Sequence, residues 1–499
     1  MPPHIHPEGT TLRDPSKLFH QTDYIRRLII ASYWVIIILA IPLWWQTTSI
    51  ERLSLPTSRV HAQAENKLRF PVHIKLESVQ DASLPSALRH LLQDRIRRSP
   101  QAWKGLDVRV REVRDGQDVD AVEPADSYTI KADDGIPLVS QRQLTYPVRG
   151  GTLPILADAL ASLLVPPIDA HRVAQYSPRY RLAFTLLNED AAAGKSISGW
   201  DISGAISRHL SPILSGLSVL HNFTIESQVQ FHAPLAFSPT RLDKGYGLTP
   251  EDLTVFVNSA EWSLSSSVSN DPVLHFIVFI PSASRRPLQI LDAHGLPSSS
   301  DAFLLPQWGG IVIYNPPPEL DAHVQLPSSA LNAVFSAFAN QLLALLGVPG
   351  LPREMRTDAS VLTGWQLDAL LRRRALENAE GAQDTLESIV KLVDQIENMP
   401  VGQDVRGDVQ DALTALDKMY ASASASLNET LRQSADALTL ASRAFFNPGM
   451  LALLYFPAEH NFAVYTPLFA SAMIPLIAAA IREVSVWRKQ RREAAQALE

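Results

Sequence analysis

The sequence predicts the α/β class: a large mixed α/β domain with a C-terminal helical arm, flanked by two transmembrane helices. Three observations predict it. Two uncharged apolar runs, 28–45 and 462–481, lie towards the ends of the 499 residues. Between them, alternating apolar runs interleave with runs of helical spacing. From Ser328 onward helical spacing alone remains. Charged residues are 19% of the chain, below the roughly 25% of soluble domains, so the apolar excess is local.

The first run, LIIASYWVIIILAIPLWW, follows a 1–27 tail. As a helix it would span roughly 27 Å, close to the hydrocarbon thickness of a bilayer. Arg26 and Arg27 precede it and Trp44 and Trp45 close it, the basic flank and aromatic belt expected of interface anchors. A cleaved signal peptide is the competing reading. Against it stand the tail ahead of the run and the lack of a small-x-small cleavage pattern in QTTSIERL.

The middle opens with strands expected at 70–76 and 108–113 around an amphipathic helix at 85–96. A helix at 153–164, a strand at 180–187, a helix at 202–217 and a long strand at 219–231 continue the alternation. After a Pro/Gly-marked loop at 238–250 come strands at 273–280, 288–291 and 311–314. The mixed α/β region is thus 46–327. The helical region, 328–444, starts with Leu331, Val334, Phe335, Phe338, Leu342 and Leu345 in register, Ser328 or Ser329 as N-cap, and Gly347-Val348-Pro349 as the stop. Further helices are expected at 365–378, 385–396 and 409–440, the last with Ala421, Ala423 and Ala425 available for close helix approach.

The segment 445–461 contains FFNPGMLALLYF, too short to cross a bilayer. It could lie in the interface, pack into the domain or dock a partner. The second run, FAVYTPLFASAMIPLIAAAI, is the second expected span, with a buried core helix as the alternative. Arg482 and Arg488 begin a basic tail, 482–499, which also holds Lys489, Arg491 and Arg492.

Basic flanks at both ends place both termini in the cytoplasm and the middle across the membrane, in the lumen if that membrane is the endoplasmic reticulum. The tails hold 9 basic and 6 acidic residues, leaving 35 and 45 between them. Both N-x-[ST] triplets of the chain, at Asn222 and Asn428, fall in that middle, where glycan transfer could reach them.

Few chemistries are left open. With no cysteine there is no disulfide, thiolate metal site or cysteine nucleophile. The net charge of −7 gives no global attraction for nucleic acid. Gly194-Lys195-Ser196 lacks the first glycine of a phosphate loop, Glu189 standing there. The 14 histidines are scattered, without zinc spacing. Asp115, Asp118, Asp120, Glu123 and Asp126 lack the order of a calcium loop and suit a solvated acidic loop. Gly309-Gly310, ahead of an apolar strand, suits a tight turn or a close backbone approach. No catalytic, cofactor or metal residue is assigned.

Four segments carry a resemblance. RRLIIASYWVIIILAIPLWWQTTSIERLSLP, PQWGGIVIYN, TGWQLD with the following LLRRRALEN, and FFNPGMLALLYFPAEHNFAVYTPLFASAMIPL resemble the PIG-S family, a subunit of the glycosylphosphatidylinositol (GPI) transamidase. The likeness runs end to end and is weakest at about 115–180. It implies a non-catalytic structural subunit of a membrane complex that attaches GPI anchors to the C-termini of precursor proteins. The cysteine nucleophile would lie on another subunit, PIG-K. PIG-T, PIG-U and a polytopic metallopeptidase-like subunit would be the other partners, with the lipid bilayer and the GPI lipid. The rival readings are a lumenal hydrolase or glycosyltransferase acting on GPI glycans, and a GPI-lipid or precursor-binding module.

Overall fold

A computed structural model describes residues 22–48, 51–77, 83–112, 127–165, 173–194, 196–264, 270–317, 324–358, 361–396, 399–450 and 458–496. The chain divides into two compact units. One comprises 61–384 with 411–439; the other comprises 1–60, 385–410 and 440–499.

Helices α1 (Asp23–Thr48) and α2 (Thr57–Glu65) precede the first sheet. Its strands are β1 (Phe70–Glu77), β2 (Leu106–Glu112), β3 (Ser127–Ala132), β4 (Leu138–Ser140) and β5 (Gln143–Tyr146). β1 lies between β2, at one edge, and β3, parallel to both, with Ile74 opposite Val110 and Tyr128. The side chains of β1 alternate between buried and half-buried, the period-2 signature that made it visible in the sequence. Helices α3 (Leu84–Arg98) and α4 (Leu153–Leu164) cover the buried face. Their Leu88, Leu92, Leu156 and Leu160 join Val72, Ile74, Leu76 and Tyr128 in one apolar cluster. Each such fully buried side chain stabilises the fold by roughly 1.5–3 kcal/mol.

The second sheet begins with β6 (Arg179–Asn188), which is buried along almost its whole length. β7 (Ile197–Trp200) follows, then α5 (Ile202–His209), α6 (Ser211–Gly216) and β8 (Asn222–Gln230). The single helix expected at 202–217 is two, because Pro212 can donate no hydrogen bond and starts a new helix after Leu210. The loop expected at 238–250 holds β9 (Thr240–Arg241), β10 (Tyr246–Leu248) and the start of α7 (Pro250–Thr254). Then come β11 (Val273–Ile280), β12 (Leu288–Ile290), β13 (Ala302–Leu305), β14 (Gly309–Ile313) and β15 (Val324–Leu326). The main sheet has the order β13-β14-β11-β6-β8, parallel except for the β13–β14 pair. One face of it holds Phe279, Phe256 and Trp262. The opposite face packs Phe184 and Phe276 against Phe335 and Phe338 of α8 (Asn332–Leu345). Neither Ser328 nor Ser329 caps α8, whose first turn starts from Leu331. β16 (Arg356–Thr357) then adds to β4 of the first sheet.

The rest is helical: α9 (Gly364–Gln395), α10 (Gln403–Ser422), α11 (Leu427–Phe445) and α12 (Ala458–Gln496). Two expectations are corrected here. The helices expected at 365–378 and 385–396 are one, α9, which runs through Gly381. A side chain there would meet Leu438 of α11 at 3.2 Å, so the glycine is kept for the neighbouring helix rather than to end its own. The long helix expected at 409–440 is instead broken after Ser422. Ser426 caps the second half, its Oγ accepting from Glu429 N at 3.3 Å, the S-x-x-E pattern of a helix start. Ala423 and Ala425 therefore sit in a turn and do not form a helix face with Ala421.

The mixed α/β class and the helical C-terminal part expected from the sequence are both present. Among the described residues one helix is long and apolar enough to cross a membrane, Tyr24–Pro42 within α1. The second expected span lies inside α12, a continuous helix of 39 residues containing Pro467 and Pro475. The acidic run 115–126, Lys195 and residues 451–457 of the expected interfacial segment lie outside the described residues. Of that segment, Phe446 is exposed and Met450 buried.

Candidate functional site

The TGWQLD motif builds the start of α9. Thr363 and Gln366 cap it reciprocally: Thr363 N donates to Gln366 Oε1 at 3.1 Å and Gln366 N to Thr363 Oγ1 at 3.3 Å. A side chain on Gly364 would fall 2.8 Å from Arg142 Cγ, so only glycine lets the helix meet the β4–β5 turn this closely. Trp365 is fully buried with its ring 4.2 Å from that of Tyr128 on β3. Asp368, one turn on, accepts from Tyr128 OH at 2.6 Å. It also receives Arg142 along the whole Nε–Nη2 edge, at 2.7 and 2.9 Å. Arg372, a further turn on, donates from Nη1 to Tyr128 OH at 2.7 Å. Burial pushes the Tyr128 phenol well above its usual range, so it stays neutral. Arg374 lies over the Tyr176 ring and donates to Glu377 at 2.8 Å, while Asn378 Nδ2 reaches Ser434 Oγ of α11 at 3.3 Å. The motif thus ties one helix to a sheet on one side and to a second helix on the other.

The carboxyl ends of β6 and β11 are a second candidate, because open parallel sheets bind ligands where successive crossovers diverge. Here β8 lies on one side of β6 and β11 on the other. Glu189, just past β6, is buried; it accepts Ser282 N at 2.8 Å and pairs with Arg285. Asn188 spends its amide on Ile197 N and O, both at 2.9 Å. Glu189 is thus engaged by Arg285 and the Ser282 backbone, and Asn188 by the Ile197 backbone. The paired glycines prove to be a close approach: a Cβ on Gly309 would lie 2.0 Å from the His275 carbonyl, and one on Gly310 2.0 Å from Gln341 Oε1.

The residues singled out in the sequence fall in three places. Asn222, at the start of β8, and Asn428, on the first turn of α11, are exposed and line one cleft of about 530 Å³ with Tyr176, His221 and Arg432. The convergence had no sequence signal, since 206 positions separate the two. Thr224 is exposed, whereas Thr430 is fully buried and donates to Ser426 O at 2.8 Å. Arg26 and Arg27 both reach Glu483 of α12, Arg27 Nε at 3.1 Å from Oε2. The two guanidinium groups hold that carboxyl below its usual range, Arg26 foremost. Glu483 was the residue sequence reasoning missed, submerged in a tail read only as basic. Trp44 and Trp45 belong to α1; Arg482 and Arg488 are exposed on α12. Among the described residues no group of three or more His, Asp or Glu is placed to hold a metal ion.

A family model described as phosphatidylinositol-glycan biosynthesis class S protein, PIG-S, matches residues 31–144 and 166–490. The chain belongs to the PIG-S family. The PIG-S match takes in most of α1, nearly all of the strands, the α9 junction and nearly all of α12, and its gap, 145–165, falls on the end of β5 and on α4. Similar proteins include the GPI-anchor transamidase component PIGS of Bos taurus, 30% identical over 89% of this chain and 92% of the bovine protein. The GPI transamidase component PIG-S homolog of Schizosaccharomyces pombe is 29% identical over 94% of this chain and 85% of its own length. The GPI transamidase component GPI17 of Saccharomyces cerevisiae is 25% identical over 87% of each chain.

Proposed function

We propose that this PIG-S protein is a non-catalytic structural subunit of the GPI transamidase complex of the endoplasmic reticulum membrane. The carrying observation is that relatives named as transamidase components match it over nearly its whole length. The accessory role is supported at the carboxyl ends of β6 and β11, where such folds place ligands: Glu189, Arg285, Ser282 and Asn188 are engaged with each other or with backbone there. The cysteine chemistry would belong to a PIG-K-like partner, since this chain has no thiol. PIG-T, PIG-U and the polytopic metallopeptidase-like subunit complete the proposed partners.

In this reading α1 and the 462–481 part of α12 both cross the membrane, with both termini cytoplasmic and the sheets lumenal. Two arginines directly before the first span and a glutamate just after the second meet in two ion pairs, an arrangement that suits two antiparallel spans ending on one side. The test is to delete the gene and purify the remaining complex: subunits that assemble and process precursors normally without this chain would sink the structural role. Hydrolysis or transfer of GPI glycans by the purified chain would sink the non-catalytic one.

A further inference from the structure

The polar centre on α9 is unbalanced. Arg142 and Asp368 neutralise each other, and Tyr128 is a neutral phenol. Arg372 is 4% exposed and has one charge-free partner, the Tyr128 hydroxyl. Its Nε and Nη2 have no hydrogen-bond partner among the described residues. These two nitrogens form a single edge of the guanidinium, the edge with which Arg142 grips both oxygens of Asp368. A buried cation with an empty fork is costly unless two anionic oxygens fill it.

Arg372 lines a cleft of about 540 Å³ whose walls are otherwise mainly apolar, with Leu106, Leu164, Val165 and Leu376 among them. The other charges at its rim are paired: Lys104 with Glu380 at 2.6 Å, and Arg373 with Glu377 at 2.6 Å. The uncompensated charge of the cleft is therefore that of Arg372, beneath an aliphatic surface.

We propose that this cleft binds an amphipathic anion, its phosphate or carboxylate head taken by the Nε–Nη2 edge of Arg372 and its aliphatic chain laid against Leu106, Leu164 and Leu376. The two nitrogens lie below the cleft surface, so the Arg372 side chain moves outward on binding. The site is distinct from the β6 and β11 carboxyl ends: among the described residues, none of its own lies near them in sequence or shares a hydrogen bond with Asn188, Glu189, Ser282 or Arg285.

The test titrates the full-length protein in detergent with hexyl phosphate, hexanoate and inorganic phosphate by calorimetry, with Arg372→Leu as the blank for micelle partition. Saturable binding of an alkyl anion is expected, weakened about tenfold or more in Arg372→Leu, as for loss of charged hydrogen bonds, and similarly in Arg372→Lys, which keeps charge but loses the fork. Comparing hexyl phosphate with hexanoate tells the two heads apart, and inorganic phosphate reads the head alone. Equal affinity for inorganic and hexyl phosphate would overturn the aliphatic half of the proposal. No saturable heat from either alkyl anion, or unchanged binding in Arg372→Leu, would overturn it whole. Should the Arg372 variants fail to fold, Ala102→Trp, at the exposed rim of the same cleft, keeps the arginine and fills the aliphatic end; undiminished binding there is equally fatal.

Discussion

At the scale of single residues, glycines and buried histidines carry the sharpest expectations. Gly309→Ala would drive a methyl group into the backbone carbonyl of His275, which cannot step aside, so a loss above about 3 kcal/mol is expected in denaturant unfolding. Gly310→Ala meets a side chain instead, Gln341, which already spends its amide on Phe303 O at 2.9 Å. Adding Gln341→Ala should recover part of that loss, and a double variant no more stable than Gly310→Ala would contradict the geometry. His221 and His275 are held down to about 4, chiefly by burial. Between that value and the ordinary 6.5 the unfolded chain binds protons the folded one refuses, so stability is complete above pH 6.5 and drains away as pH falls towards 4. Each histidine accounts for up to about 3 kcal/mol of that loss. His275→Gln should flatten the dependence measured by unfolding between pH 7 and pH 4.

At the scale of elements, periodicity located what it could and missed what tertiary contacts decide. β1, β6, β11 and α4 were legible because their burial follows period 2, a continuous apolar run or period 3.6. β3, β4, β5 and β16 were not, being six residues or fewer, too short for a periodicity to show, and β16 is held by pairing with β4, distant in sequence. Gly381 looked like a stop and is a contact point; the serine run 422–426 looked helical and is a break, because serine competes for its own backbone. Two measurements follow. Ser426→Ala should cost about 1 kcal/mol through loss of the cap, read in denaturant unfolding. Gly381→Leu should cost more despite its better helix propensity, since the added side chain must displace Leu438; a stabilised Gly381→Leu would show that α9 and α11 do not need this approach.

At the scale of the whole molecule, hydropathy made the long apolar helix α1 readable, whereas the pairing of Glu483 with Arg26 and Arg27 was not, being set by two helices some 450 positions apart. Nor could the sequence reveal that both sequons open on one cleft or that Asp368 and Arg372 are buried, for a string of arginines on a helix ordinarily faces water. Glycosidase treatment should lower the mass of the full-length chain, with Asn222→Gln and Asn428→Gln each removing one step; a chain that carries no glycan at either position would count against a lumenal middle.

The edge of the main sheet has a consequence for the chain before it meets its partners. β8 is the outermost strand on its side among the described residues, with Ile225 exposed on it and Phe231 exposed just beyond it. Such an edge is a template for pairing with any extended segment that arrives. Its last stretch is screened, where Gln228 and Gln230 hold Ser263 O at 2.9 and 2.6 Å. Asn222 stands exposed at the other end, in the cleft beside α11, so a sugar chain there would act as a bumper, keeping newly made copies apart during the interval when each waits unassembled.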